Sequence, residues 1–178
     1  MKFHPATLPG LWRIELEPRS DERGFLARTY CEQEFAVRGL NTRWPQANVT
    51  LTRQRGFIRG LHFQADPYPE TKLIRCSSGA IYDVLVDLRP DSPAFGRWEA
   101  FELSAASLCQ LYVPAGLAHG FQCLTDSCEV QYLMSEFYHP ESARGVRWND
   151  PALQIPWPIP GPFLSERDRQ WPLLSELA

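Results

Sequence analysis

Lys72-Leu-Ile-Arg-Cys-Ser-Ser-Gly-Ala-Ile-Tyr-Asp-Val-Leu-Val-Asp-Leu88 decides the fold. Two apolar, strand-like runs, 71–77 and 80–88, flank Ser77-Ser78-Gly79, residues that favour a tight turn, so the stretch predicts a β-hairpin. Just upstream, Arg59-Gly60-Leu61-His62-Phe63-Gln64 puts a cation, a histidine and an amide into another strand-like run. Polar groups in such a run face either water or a pocket, because burying them unpaired is costly. The chain has four histidines, at 4, 62, 119 and 139. His119 lies in a similar setting, Pro114-Ala-Gly-Leu-Ala-His119-Gly-Phe121. Two histidines on separate β-rich segments suggest one site assembled from two strands.

Outward from this centre, short apolar or alternating runs recur near 11–17, 24–30, 45–52, 57–64, 97–104, 108–113, 119–124 and 128–138, separated by turn residues. Helical spacing is confined to Glu32 to Leu40, with stop residues at Gly39 and Asn41, and to a turn or two around Ser165 to Gln170. Many short strands with Gly/Pro turns predict an all-β sandwich or barrel, specifically a jelly roll. The proline-rich stretch 151–163 cannot be regular structure and is expected to wrap the barrel surface. Without repeat or interior linker, residues 1–178 read as a single domain.

The net charge of −3 and the absence of a basic tract argue against a nucleic-acid partner. No apolar run is long enough to span a membrane, and no export signal opens the chain. Five irregularly spaced cysteines without a C-x-x-C fit buried thiols in a reducing cytoplasm better than a disulfide framework.

A metal site of the β-barrel type wants two closely spaced histidines, a carboxylate and a later histidine. Here Gln64 stands two residues after His62, Glu70 is loop-borne beside Pro69, and Lys72 brings an ammonium, so no resident metal or cofactor is expected. A cavity holding His62, Lys72, His119 and a phenol instead suits proton abstraction beside a carbonyl. Imidazole supplies a base near neutrality. Lys72 could face the oxygen on which enolate charge develops. Tyr132 could be an acid on the opposite face of the carbon, and Asp168 could orient the imidazole. Arg23 and Arg59, each beside a glycine, suit phosphate oxygens. Each has a plainer alternative: a structural strand histidine, a core aromatic, a turn-capping aspartate, a solvated arginine.

Together these segments resemble the dTDP-4-dehydrorhamnose 3,5-epimerases, the RmlC family of the cupin superfamily, along nearly the whole chain. The resemblance is carried by Asp21-Glu-Arg-Gly-Phe25, Gln46-Ala-Asn48-Val-Thr50, Arg59 to Gln64, Lys72 to Cys76, Asp83 to Arg89, Ser92-Pro-Ala-Phe-Gly96, Pro114 to Phe121, Tyr138-His-Pro140, Trp148-Asn-Asp-Pro151 and Leu164-Ser-Glu-Arg-Asp168. It implies a cupin-type jelly roll, a homodimer, and metal-independent epimerisation of a nucleotide-linked 4-keto-6-deoxy sugar at C3 and C5 through enolates. On that resemblance His62 is the base paired with Asp168, Tyr132 the acid, and Lys72 the enolate stabiliser. Arg23, Gln46, Asn48, Arg59, His119, Tyr138 and Arg167 match substrate-binding positions. Two departures, Arg28 and Ala143, replace family glutamates and leave the nucleotide open between dTDP, CDP and GDP. Epimerisation at one carbon, a metal-dependent cupin enzyme and a non-catalytic sugar-nucleotide-binding cupin are the competing readings.

Overall fold

The computed structural model describes residues 1–177. Lys72–Ser78 and Ala80–Asp87 form as strands joined by a tight turn at Gly79, whose φ of 73° suits glycine, but they are not the expected hairpin: they do not pair, and the turn carries the chain from one sheet into the other. In chain order the strands are β1 Lys2–Pro5, β2 Trp12–Glu15, β3 Arg19–Asp21, β4 Gly24–Leu26, β5 Gln46–Thr52, β6 Ile58–Gln64, β7 Lys72–Ser78, β8 Ala80–Asp87, β9 Trp98–Ser104, β10 Cys109–Val113, β11 Leu117–Cys123, β12 Cys128–Met134 and β13 Ala143–Gly145. The helices are α1 Glu32–Ala36 and α2 Glu166–Arg169. The antiparallel strands assemble into a six-stranded sheet, β1-β2-β10-β7-β12-β5, and a five-stranded sheet, β13-β6-β11-β8-β9. The result is the jelly roll predicted from the sequence.

Alternation along each strand sorts its side chains into layers. Ile74 and Cys76 of β7, Leu111 of β10 and Val130 of β12 pack with Ile81 and Leu85 of β8, Leu103 of β9 and Phe121 and Cys123 of β11. Residues from both sheets in one cluster define the interior between them. Each such side chain contributes about 1.5–3 kcal/mol through burial. The opposite phase of the five-stranded sheet, Leu61, Val84, Val86 and Ala118, is covered by Val146, Leu153, Trp157 and Leu174. The proline-rich stretch thus wraps the barrel, as expected. A third cluster, around Phe35, Leu73, Tyr112 and Trp44, packs α1 on the outside of the six-stranded sheet.

Some boundaries differ. The 24–30 run pairs only over β4, with β3, as an exposed hairpin that no apolar alternation announces. The 128–138 strand ends at Met134, where pairing with β5 and β7 stops. β1 and β13 are short, paired by their neighbours and without a periodic signal of their own.

Candidate active site

The phase that supplies the apolar interior also carries His62, Lys72, His119 and Tyr132. At one end of the sandwich it therefore lines a cavity of about 230 Å³. β6 and β11 set His62 directly opposite His119. That register depends on glycine. A Cβ on Gly60, which has φ 115°, would sit 2.5 Å from Gly120 Cα and 2.6 Å from the His119 carbonyl oxygen. The two paired strands approach there with no room for a side chain, and the ladder shifts between His119 and Phe121.

The His62 side chain keeps 42 % of its surface, open where it lines the cavity. Burial, then the positive charges of Lys72, His119, Arg167 and Arg59, hold its pKa well below the ordinary 6.5. It is therefore a neutral imidazole, able to accept a proton. Asp168 Oδ1 lies 3.9 Å from His62 Nε2, an ion-pair distance beyond hydrogen bonding. Asp168 does not cap the turn with its side chain. Ser165 caps α2 instead, its Oγ accepting from the Asp168 N–H at 3.1 Å, while Asp168 Oδ1 accepts from Trp171 Nε1 at 3.3 Å. The carboxylate is thus held over the imidazole.

His119 Nε2 is 2.8 Å from Asp83 Oδ2, both groups being buried. Burial pushes the Asp83 carboxyl up, although His119 pulls it down. The Tyr132 ring meets that of His119 edge-on, 6.0 Å between centroids. Burial, and the nearby Asp83 charge, raise the Tyr132 phenol's pKa, so it stays protonated and able to donate. Lys72 Nζ is held at 2.7 Å by Glu70 Oε1, the two side chains being 6 % and 5 % exposed.

Asn48, Arg59, Tyr138, Ala143 and Arg167 also line the cavity. Arg59 Nε donates to Thr52 Oγ1 at 2.8 Å, and Arg167 Nη1 to the Tyr138 hydroxyl at 3.3 Å. Gln46 stands one layer back, its Oε1 accepting the Tyr138 N–H at 3.1 Å. Within this chain Arg23 and Arg28 lie outside the cavity. Arg23 sits on the exposed β3–β4 hairpin against Asp21, and Arg28 Nη1 donates to Glu34 Oε1 at 3.1 Å. Of the two departures, Ala143 alone reaches the cavity wall of its own chain.

The Gln64 amide donates to the Tyr68 and Phe137 carbonyls, both at 3.1 Å, and accepts the His139 N–H at 2.6 Å. It ties two loops together, with both amide hydrogens and one lone pair of Oε1 already engaged. Among the described residues no group of three or more His, Cys, Asp or Glu side chains is arranged to hold a metal ion. Sequence reasoning missed Asp83 and the burial of Glu70. Asp83 was legible, because it lies in phase with Ile81 and Leu85, both inward-facing; Glu70 sits in a connection, where no periodicity applies.

A neutral imidazole, an ammonium and a protonated phenol converging on one cavity can remove a proton beside a carbonyl, stabilise the enolate and return a proton. The comparisons with known proteins point the same way. Residues 5–176 match the family model described as dTDP-4-dehydrorhamnose 3,5-epimerase. The chain is 41 % identical to the dTDP-4-dehydrorhamnose 3,5-epimerase of Methanothermobacter thermautotrophicus, covering 98 % of this chain and 95 % of that one. It is 39 % identical to the dTDP-4-dehydrorhamnose 3-epimerase of Streptomyces niveus, over 99 % of this chain and 85 % of the relative. The crystal structure of the Bacillus anthracis dTDP-4-dehydrorhamnose 3,5-epimerase, with TDP and PPi bound, superposes with a TM-score of 0.94 at 42 % identity, covering 97 % and 98 % of the two chains. Fold, full-length match and sequence identity agree: the chain belongs to the dTDP-4-dehydrorhamnose 3,5-epimerase family.

Proposed function

We propose that the protein epimerises a dTDP-linked 4-keto-6-deoxy hexose at C3 and C5, converting dTDP-4-dehydro-6-deoxyglucose to dTDP-4-dehydrorhamnose. The observation that carries this is the convergence of His62, Lys72, His119, Tyr132 and Asp168 on one cavity. His62 takes the proton from the carbon beside the ketone, and the C–H electron pair passes into the enolate. Lys72 donates to the oxygen where that charge gathers. Asp168 stabilises the imidazolium so formed. Tyr132 then delivers a proton to the opposite face, inverting the carbon. Arg59 and Arg167 are suited to the pyrophosphate.

The reading extends to one catalytic domain working as a homodimer in the cytoplasm, without a resident cofactor. Phe25 and Leu26 on the β3–β4 hairpin, and Val49 and Leu51 on the edge strand β5, are exposed apolar groups that a second copy would cover. The five thiols are free, four of them buried, in keeping with a reducing compartment. Among the described residues no helix is long and apolar enough to cross a membrane.

The test is incubation with dTDP-4-keto-6-deoxyglucose in D₂O. Deuterium at two carbons supports double epimerisation, at one carbon a single epimerisation, and at none removes the proposal. His62→Ala should abolish exchange while leaving dTDP binding intact. Matching kcat/KM on CDP- or GDP-linked analogues would overturn the choice of dTDP, and a monomer in light scattering would overturn the dimer.

A further inference from the structure

Glu70 has no part in the reaction as described above, yet its setting is that of a working group. It lies in the connection between β6 and β7 but is buried. The backbone beside it is fixed: the Thr71 N–H donates to Ser135 Oγ at 2.8 Å, and the Ser135 N–H to the Thr71 carbonyl at 3.0 Å. Oε1 accepts from Lys72 Nζ at 2.7 Å. Oε2 is fully buried and has no hydrogen-bond partner among the described residues, and the side chain lines the cavity. A buried carboxylate oxygen without a donor is costly, and the contact with Lys72, made through Oε1, leaves Oε2 unsatisfied. A turn of the carboxylate about its soft terminal torsion would present this oxygen to a donor arriving in the cavity.

Building on the epimerase reading, we propose that Glu70 positions the sugar. Its Oε2 accepts a hydrogen bond from the hydroxyl on the carbon next to the ketone, while its Oε1 holds the Lys72 ammonium against the ketone oxygen. An ammonium beside a free carboxylate oxygen is complementary to a ketone beside a hydroxyl, donor meeting acceptor at both points. The hydroxyl in question is that on C3, one of the carbons to be inverted. Inversion swings this hydroxyl across the ring, so Glu70 favours one C3 configuration. The residue that steadies the enolate stabiliser therefore also reads the stereochemistry of the neighbouring carbon.

The experiment compares dTDP-4-keto-6-deoxyglucose with its 3-deoxy analogue, following deuterium uptake at C5, which both possess. In the wild type the analogue should lose about 10- to 100-fold in kcat/KM, as expected for a hydrogen bond to a charged acceptor. Glu70→Gln keeps side-chain volume and an oxygen for Lys72 but discards the charge. Its parent-to-analogue ratio should shrink at least about fivefold. Glu70→Asp keeps the charge but withdraws the oxygen by one methylene, and should shrink the ratio too; it decides the matter if Glu70→Gln does not fold. A ratio unchanged by either variant, or a wild type that treats both sugars alike, overturns the proposal and leaves the epimerase reading standing. A wild type that exchanges neither carbon of the parent sugar removes the epimerase reading itself, and Glu70's role with it.

Discussion

Gly60→Ala probes whether the close approach of β6 and β11 is what sets the two histidines face to face. Two costs add. At φ 115° an alanine is strained by about 1–2 kcal/mol. Its Cβ would also lie 2.5 Å from Gly120 Cα and 2.6 Å from the His119 carbonyl oxygen. Both are backbone atoms that cannot swing aside, so the strands must part, at the upper end of the roughly 1–3 kcal/mol typical of overpacking. The sum is about 4–5 kcal/mol, or a fall in Tm of roughly 8–20 °C for a chain of this size. Gly39→Ala is the control. Gly39 also has positive φ, 67°, but nothing lies within 4 Å of its Cβ position, so only the strain of about 1–2 kcal/mol remains. Thermal and urea denaturation of both variants measures the difference. Any folded Gly60→Ala protein should also lose on the order of 100-fold in kcat, since about 1 Å of displacement at a reacting group costs that much. A Gly60→Ala melting point within about 3 °C of the Gly39→Ala value would refute the argument that close strand approach demands the glycine.

Tyr132→Phe should separate exchange from inversion: deuterium still enters on the His62 face, while inverted product falls by about 10²–10⁴-fold. Equal losses in both would show that the phenol is not the second acid. The pH profile follows from His62. A base works unprotonated, and a pKa held below 6.5 keeps it so into mild acid, so the acid limb of kcat/KM should fall below pH 6.5. Lys72→Met removes one of the cations responsible and should move that limb upward as well as lowering the rate. A limb that stays put would separate the ammonium from the imidazole's titration. Asp87, away from the cavity, tests the scaffold. Although burial opposes it, hydrogen bonds from Arg89 and Ser92 hold its carboxyl below the usual 3.8. The folded state then binds fewer protons than the unfolded one, so this stabilisation is complete above pH 3.8 and is lost as pH falls through the lower folded value. Asp87→Asn should cost about 3–5 kcal/mol near neutrality. The gap from wild type in urea melts should narrow on acidification, and a constant gap would contradict the charge argument.

The parts of the fold and site that were legible in the sequence are those governed by alternation and turn chemistry. Ser77-Ser78-Gly79 announces its tight turn, but the turn chemistry does not say that the two strands it joins enter different sheets rather than pair as a hairpin. His62, His119 and Tyr132 could be grouped because each interrupts an apolar strand. The β3–β4 hairpin was opaque: both strands are exposed, so no buried face imprints a period on Arg19–Asp21 or Gly24–Leu26. Arg23 and Arg28 lie on or beside this hairpin and outside the cavity of their own chain, a placement that the motifs around them do not encode.

Glu70 marks the deeper limit. Its burial is decided by Ser135, 65 positions away and just past the end of β12, which pins the connection inward. Nothing local distinguishes it from a solvated loop glutamate, and the proline before it reinforces that reading. Yet the interior it enters already holds Lys72, and an ammonium buried without a counter-charge would cost several kcal/mol. A lysine in phase with Ile74 and Cys76 on an inward-facing strand therefore requires an anion beside it. That requirement can be read from the sequence, even though the identity of the anion cannot. The constraint runs from lysine to carboxylate and then, through the carboxylate's second oxygen, to whatever the cavity is built to hold.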